Sequence, residues 1–236
     1  MTKVAVYSGS FNPLHIGHLA IIKYMIEVAG FDMVYLIVSP KNPLKDSISS
    51  NSGLDRYNAA IEAVSRHFAI TDVAFCGDDM PPPARGRERL ANGPVDLCSE
   101  QPAVAGAAGV IGANATSGIT RVHVDDIELT MPEPHYSIST LDALRSREPG
   151  NSFTFVMGAD NLADIRRWKD YTRILTEFGV AVYPRTGFDL ETIRQDLLNE
   201  NPAYKIDIIN APMVDISSTQ IREAASRGED ISHLLM

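Results

Sequence analysis

The hydrophobic positions of this chain form two kinds of pattern that alternate from one end to the other. Short, largely apolar runs occupy residues 3–7, 33–38, 153–157, 180–183 and 205–209. Such runs are typical of strands that are buried on both faces of a sheet. Between them apolar residues recur at helical spacing, as over residues 18–30 and 55–68. The alternation predicts an α/β fold with a doubly wound, mainly parallel sheet, helices on both faces, and ligands beyond the carboxyl ends of the strands.

One region interrupts this rhythm. Residues 81–118 are dominated by Pro, Gly and Ala and contain no aromatic residue, a composition that cannot supply a packed core. The length of 236 residues suits one globular domain. We therefore expect a single domain over residues 1–236 with a flexible insertion at about residues 78–118. A surface excursion without chemistry is the main interpretation of the insertion, and a lid or an oligomer contact are the alternatives.

Composition narrows the classes of partner. The chain carries 30 acidic and 21 basic residues, a formal charge of −9, which argues against general binding to nucleic acid or anionic membranes. Cys76 and Cys98 lack the spacing of a zinc site or a disulfide framework, so we expect free thiols in a reducing cytosol. Neither a secretory leader pattern nor an apolar run of about 18 residues is present. We expect a cytoplasmic protein, with a homo-oligomer as one alternative for its assembly.

The most informative segment, Gly9-Ser-Phe-Asn-Pro-Leu-His-Ile-Gly-His18, joins the first predicted strand to the first helix. Gly9 permits a tight turn, and a helix start offers free backbone N–H groups to an anion. His15 and His18 can point to the same side, where imidazole donors would stabilise charge growing on a phosphate. Two histidines alone are equally compatible with ordinary polar residues. The glycine turn after the first strand therefore carries the prediction of a nucleotide site.

A second segment, Ile216-Ser-Ser-Thr-Gln-Ile-Arg222, predicts another anion pocket. Ser217, three residues before a glutamine, begins a capping box and thus opens a helix. The free N–H groups of that helix, the hydroxyls of Ser218 and Thr219, and the guanidinium of Arg222 would surround the anion. Taken alone, the segment is equally well described as a capped surface helix.

Together the two segments resemble the HxGH and ISSTxxR signatures of the HxGH nucleotidyltransferase superfamily, which has a Rossmann-like fold. Within it the chain resembles the bacterial nicotinate-nucleotide adenylyltransferases over nearly its whole length except the insertion. Further matching stretches are Pro43-Leu-Lys45, Asp55-Arg56-Tyr57, Val124-Asp-Asp-Ile-Glu128, Tyr136-Ser-Ile-Ser-Thr-Leu141, Gly158-Ala-Asp-Asn161, Trp168 and Tyr183-Pro-Arg185. The resemblance implies transfer of the adenylyl group of ATP to nicotinate mononucleotide, giving nicotinate adenine dinucleotide and pyrophosphate in NAD biosynthesis.

The resemblance also implies roles for individual residues. The catalytic residues would be His15, His18, Lys45 and Arg222. The ATP-binding residues would be Gly9, Ser10, Phe11, His15, His18, Gly158, Asp160, Ser218, Thr219 and Arg222. The mononucleotide-binding residues would be Asn12, Lys45, Arg56, Ser137, Trp168 and Arg185. Ser137 stands where the family usually has Thr. Mg²⁺ would be held mainly by the ATP phosphates, without a protein ligand.

The implied reaction is an in-line attack of the mononucleotide phosphate on the α-phosphorus of ATP. That phosphate is already anionic near neutral pH, so positioning and charge stabilisation can carry catalysis without a strong base. One alternative is a related adenylyltransferase acting on nicotinamide mononucleotide or pantetheine phosphate. A class I aminoacyl-tRNA synthetase shares the His-Ile-Gly-His motif, but the small size and acidic balance disfavour it. A non-catalytic nucleotide sensor on the same fold is the alternative from another class.

Overall fold

The computed structural model describes residues 1–40, 52–68, 121–212 and 216–236. Lys45, both cysteines and the predicted insertion at about residues 78–118 lie outside these ranges. A single domain with a flexible insertion therefore stays a prediction. No helix in the described ranges is both long enough and apolar enough to cross a membrane.

Within the described ranges, six strands form one sheet in which every pairing is parallel. The strands are β1 (Thr2–Gly9), β2 (Met33–Val38), β3 (Val122–Asp125), β4 (Asn151–Gly158), β5 (Val180–Tyr183) and β6 (Ile206–Ile208). Their order is β3-β2-β1-β4-β5-β6, which is that of the doubly wound dinucleotide-binding fold. In such sheets a ligand binds at the carboxyl ends where the strand order reverses, here between β1 and β4. The predicted Rossmann-like fold class is confirmed.

The helices of the described ranges cover the sheet and close its loops. They are α1 (Ile16–Glu27), α2 (Gly53–His67), α3 (Ile127–Thr130), α4 (Ser137–Arg147), α5 (Ala159–Ala163), α6 (Tyr171–Arg173), α7 (Leu190–Glu200) and α8 (Ser218–Ser226). Two 3₁₀ turns and one π turn add Ile165–Arg167, Ser232–Leu234 and Ile174–Phe178. Both α1 and α2 begin two residues before the predicted starts, because His15 and Ser52 cap them.

The central strand β1 is buried on both faces, and this explains its continuous apolar sequence. Val4 and Val6 enter a core that contains apolar residues of α4 and α7. Ala5 and Tyr7 enter a second core together with apolar residues of α1 and α2. Full burial of each large aliphatic side chain contributes about 1.5–3 kcal/mol. Helices therefore pack on both faces of the sheet, as the pattern predicted.

Candidate functional site

The candidate site lies beyond the carboxyl ends of β1, β4 and β5, where the strand order reverses. A cavity of about 550 Å³ opens there, a volume suited to a small-molecule ligand. The polar residues that line it come from distant parts of the chain and include His15, His18, Asp160, Tyr183, Arg185 and Ser217. The fold thus brings the two predicted anion-binding segments to one cavity.

His15 and His18 cap the start of α1 reciprocally. The Nδ1 atom of His15 accepts a hydrogen bond from the Gly17 backbone N–H at 3.2 Å. The Nδ1 atom of His18 accepts one from the backbone N–H of His15, also at 3.2 Å. Since Nδ1 of each neutral ring is an acceptor, the ring proton is on Nε2. Both imidazoles therefore have an Nε2–H donor free of the cap.

The environment of these rings keeps them neutral. Burial, and then the positive charge of Arg185, lower the pKa of His15 to about 4. Burial is also the main cause that lowers the pKa of His18, with His15 and Arg185 adding to it. The two ring centres are 3.7 Å apart, a separation at which two cations would repel strongly. Near neutral pH both rings are therefore neutral, and each has an Nε2–H group that can donate a hydrogen bond.

Phe11 shapes the loop that precedes these histidines. Its φ angle is 42°, a left-handed conformation that is uncommon for a residue with a side chain. Its ring is buried edge-to-face against Tyr7 and His18, with centroids 5.5 and 5.2 Å away. A Cβ atom at position 9 would stand 3.0 Å from this ring, so a larger residue there would require the ring to shift. The predicted residues Ser10, Phe11 and Asn12 thus form the loop that leads from Gly9, at the end of β1, to His15.

The second predicted segment docks directly on that loop. Ser217 caps α8, accepting from the Gln220 N–H at 3.2 Å, which confirms the capping box. The hydroxyl of Ser218 donates to the carbonyl of Pro13 at 3.1 Å. Arg222 donates from Nη2 to the Thr219 hydroxyl at 3.1 Å and from Nη1 to the loop. The start of α8 and the start of α1 therefore lie at the same cavity.

Arg185 lies among the residues that were predicted to bind ATP, although it was itself predicted to bind the mononucleotide. Its Nε atom is 3.7 Å from Oδ1 of Asp160, and its guanidinium lies 5.2 Å from the centre of the Tyr183 ring. A Cβ atom at position 158 would come within 2.4 Å of Oδ1 of Asp160. Gly158 is thus needed for the carboxylate to occupy this place.

Ser137 and Trp168, predicted to bind the mononucleotide, lie on neighbouring elements. Ser137 is the first residue of α4, and Trp168 packs edge-to-face on Phe155 with centroids 5.8 Å apart. The Nζ atom of Lys169 lies 5.0 Å above the ring of Tyr136. This contact joins the residue after Trp168 to the residue before Ser137.

Two buried polar residues near the end of β1, Glu128 and Thr140, were not singled out from the sequence. Glu128 is buried, and its Oε1 atom accepts from the hydroxyl of Thr140 at 2.8 Å and from that of Ser8 at 3.5 Å. These contacts connect the end of β1, α3 and α4. The segment from residue 124 to residue 128 was noted for its resemblance alone, because the pairing partners are 12 and 120 positions away.

No group of three or more His, Cys, Asp and Glu side chains in the described ranges is arranged to hold a metal ion. Asp160 is the carboxylate among the residues that line the cavity. One carboxylate with two imidazoles suits an ion that takes most of its ligands from phosphate and water.

The chain is similar to known proteins in both sequence and fold. A family model described as cytidylyltransferase-like matches residues 6–78 and 113–224. A protein of Flavobacterium psychrophilum is 33% identical over 233 residues, which cover 99% of this chain and 91% of that protein. One of Bacteroides fragilis is 31% identical over 234 residues, covering 99% of this chain and 87% of that protein. Both are named "Probable nicotinate-nucleotide adenylyltransferase".

Solved structures share the fold. A nicotinic acid mononucleotide adenylyltransferase of Plasmodium falciparum complexed with NaAD superposes with a TM-score of 0.62 at 18% identity, covering 98% of this chain and 88% of that one. The same enzyme complexed with APC gives a TM-score of 0.61 at 16% identity, covering 100% and 90%. These similarities agree with the six-stranded parallel sheet of the described ranges.

Proposed function

The chain belongs to the cytidylyltransferase-like family and within it to the nicotinate-nucleotide adenylyltransferases, and from this premise we propose that it transfers the adenylyl group of ATP to nicotinate mononucleotide. The products are nicotinate adenine dinucleotide and pyrophosphate. The observation that carries the proposal is the meeting of two helix starts, those of α1 and α8, at one cavity where the strand order reverses. Each helix start attracts phosphate through free N–H groups and its dipole.

The triphosphate would occupy the region between these helix starts. The Nε2–H groups of His15 and His18 would donate to oxygens of the leaving pyrophosphate, on which negative charge grows in the transition state. Arg222 and the hydroxyl of Ser218 would hold the same group from the other side. Lys45 keeps its proposed place beside the phosphates, although it lies outside the described ranges. With the reactants so positioned, the attacking phosphate needs no strong base.

The nucleosides would lie on either side of the phosphates. Asp160, set close to the backbone of Gly158, would accept hydrogen bonds from ribose hydroxyls of ATP. Arg185 faces the same cavity, so we propose that it serves ATP rather than the mononucleotide. Ser137 at the start of α4, together with Trp168, would bind the mononucleotide ring.

We propose Mg²⁺ as the cofactor, bound to the ATP phosphates. When bound it would neutralise part of their charge. Asp160 is the carboxylate that lines the cavity among the described residues. The residues of this chain would add the hydrogen bonds that orient the phosphates. We further propose a cytoplasmic location, where ATP is abundant, while a homo-oligomer and the lack of a nucleic-acid partner stay predictions.

The test is a pyrophosphate-release assay with Mg²⁺, ATP and a panel of acceptors. We expect release with nicotinate mononucleotide, weaker release with nicotinamide mononucleotide, and none with pantetheine phosphate. Release with pantetheine phosphate alone would assign the chain to another branch of the superfamily. ATP binding without release with any acceptor would favour a nucleotide sensor.

A further inference from the structure

Arg56 is a buried cation whose partners are backbone carbonyl groups. It is 3% exposed. Its Nη1 atom donates to the carbonyls of Ser10 at 2.6 Å and of Ser39 at 2.8 Å, and its Nη2 atom donates to the carbonyl of Pro40 at 2.8 Å. No carboxylate forms an ion pair with it within the described ranges. The guanidinium is therefore committed to main-chain atoms.

These carbonyls belong to two segments that leave the sheet side by side. Ser10 follows β1 and begins the loop that leads to Phe11 and His15, whereas Ser39 and Pro40 follow β2. The last residues of the two strands pair in register, Gly9 with Val38. Beyond that pair the Ser39 N–H donates to the Gly9 carbonyl at 2.9 Å. Arg56 thus bonds carbonyl groups of both segments just beyond the end of the sheet.

The start of α2 is packed closely enough to hold Arg56 in this place. A Cβ atom at position 53 would lie 3.2 Å from Cβ of Pro40 and 2.9 Å from the side chain of Leu129. Gly53 therefore lets the first turn of α2 approach the end of β2. Arg56 is one turn further along the helix, within reach of the three carbonyls.

We propose that Arg56 is a positioning residue that fixes the loop of residues 10–15, and through it the two histidines, instead of binding the mononucleotide phosphate directly. Both hydrogens of Nη1 are used, and Nε is buried without a partner. The fork of a guanidinium can bond several carbonyls at once, which a lysine ammonium cannot reproduce over the same span. The inference rests on the proposed function only where kcat is measured, since kcat refers to the proposed adenylyl transfer.

Two variants separate the shape of the side chain from its charge. Arg56→Lys keeps the charge and loses the fork, whereas Arg56→Met loses both. The affinity for a non-hydrolysable ATP analogue with Mg²⁺ is measured by calorimetry without mononucleotide. We expect both variants to bind the analogue at least about tenfold more weakly, and kcat to fall by roughly 10²-fold, the scale of a small misplacement of catalytic groups.

A direct phosphate ligand would give the opposite result. Analogue affinity would then be unchanged in both variants, KM for the mononucleotide would rise, and Arg56→Lys would restore most of the loss. That pattern would overturn the proposal. A wild-type protein that binds the analogue but releases no pyrophosphate would instead refute the proposed function, leaving the Arg56 inference to be decided by analogue binding.

Two further measurements apply if the Arg56 variants do not fold. Gly53→Ala keeps Arg56 but moves the start of α2 away from Pro40, and we expect weakened analogue binding with a retained far-ultraviolet CD spectrum. In the wild-type protein, ¹⁵N NMR of the arginine side chains should show separate, slowly exchanging Nη–H signals of Arg56 without ligand. These signals should shift little with mononucleotide. Their appearance only after mononucleotide is added would contradict a positioning role.

Discussion

Arg222 donates a hydrogen bond from Nη1 to the backbone carbonyl of Asn12, 2.7 Å away and 210 positions earlier in the chain. This bond, with that from Ser218 to Pro13, joins the two segments that were predicted to bind anions, at successive carbonyls. The position of Arg222 is thus set by the same loop that presents the histidines. Substitutions there should affect the phosphates and leave the distant mononucleotide ring contacts intact.

Arg222→Lys should lower kcat by on the order of 10²-fold, because a lysine cannot bond both the loop and a phosphate oxygen in one fixed geometry. The melting temperature should change little, since Arg222 is exposed. Arg227→Lys is the matched control, because Arg227 follows the same helix and pairs with Glu229 at 2.6 Å. Steady-state kinetics of the two variants test this prediction. Equal kcat values would show that Arg222 has no role in catalysis.

His18→Ala should lower kcat by about 10²-fold or more while mononucleotide binding is nearly retained, because the lost donor acts mainly on charge that develops in the transition state. His18→Asn and His18→Gln refine the test. Asn retains an acceptor near the place of Nδ1, which bonds the His15 N–H, whereas Gln can place a donor near that of Nε2. We expect Gln to be the more active variant. Near-normal turnover in the alanine variant would refute the assignment.

The histidines should titrate below the physiological range. The pKa of His15 is lowered to about 4, so between pH 6.5 and 4 the unfolded chain binds a proton at this position that the native protein does not. The free energy of unfolding is therefore not reduced by this group above about pH 6.5 and decreases as the pH is lowered towards 4, by on the order of 3 kcal/mol in all. His15→Asn should flatten that part of the stability profile. Urea unfolding at several pH values measures the difference.

Arg185→Met should raise the pKa of both histidines towards their ordinary value, because it removes a positive charge that lowers both. The rise should be partial, since burial is the larger cause and remains. NMR titration of the imidazole Cε1–H signals measures it directly. Unchanged titration curves would show that Arg185 does not act on these rings.

Nicotinate mononucleotide should be preferred over the nicotinamide form by at least roughly tenfold in kcat/KM. Hydrogen-bond donors aimed at the nicotinate carboxylate would lose an acceptor when nicotinamide is bound, at a cost of about 1–3 kcal/mol.

Of the basic residues near Trp168, Arg166 pairs with Glu200 at 2.9 Å and Arg167 lies 3.9 Å from Asp164. Lys169 instead lies over Tyr136. Lys169→Met should reduce the preference by up to roughly fivefold, the scale of an exposed charge pair. Arg166→Met is the control and should leave it unchanged.

Much of the fold follows from the apolar runs, because the central strands of a parallel sheet are apolar on both faces. The strand β3 was not predicted, since His123 and Asp125 interrupt its apolar character. Asp125 is nevertheless buried, and burial alone would raise its pKa. Hydrogen bonds from His123 and Arg147 lower that pKa to about 2. Arg147 is 22 positions away, so no local pattern indicates this compensation.

In the site, too, features that depend on neighbouring residues were easier to predict than contacts between distant parts of the chain. The capping box of Ser217 involves only four consecutive residues, and it was predicted correctly. The cap by His15 was not, because histidine is outside the residues usually preferred at that position, and the start of α1 was placed too late. The partners of Arg56 are 16, 17 and 46 positions away. Its environment depends on how α2 packs against the ends of β1 and β2, which the sequence alone does not specify.

The central place of β1 has a consequence for biosynthesis of the protein. One edge of β1 pairs with β2, which ends at residue 38. The other edge pairs with β4, in which Asn151 lies opposite Thr2. Until residue 158 has been synthesised, the nascent chain therefore carries an unpaired edge of β1, which can pair with other chains. The cavity lies on the seam between the two halves and arises only when they join. Nucleotide binding would thus report that a newly made chain has completed its sheet.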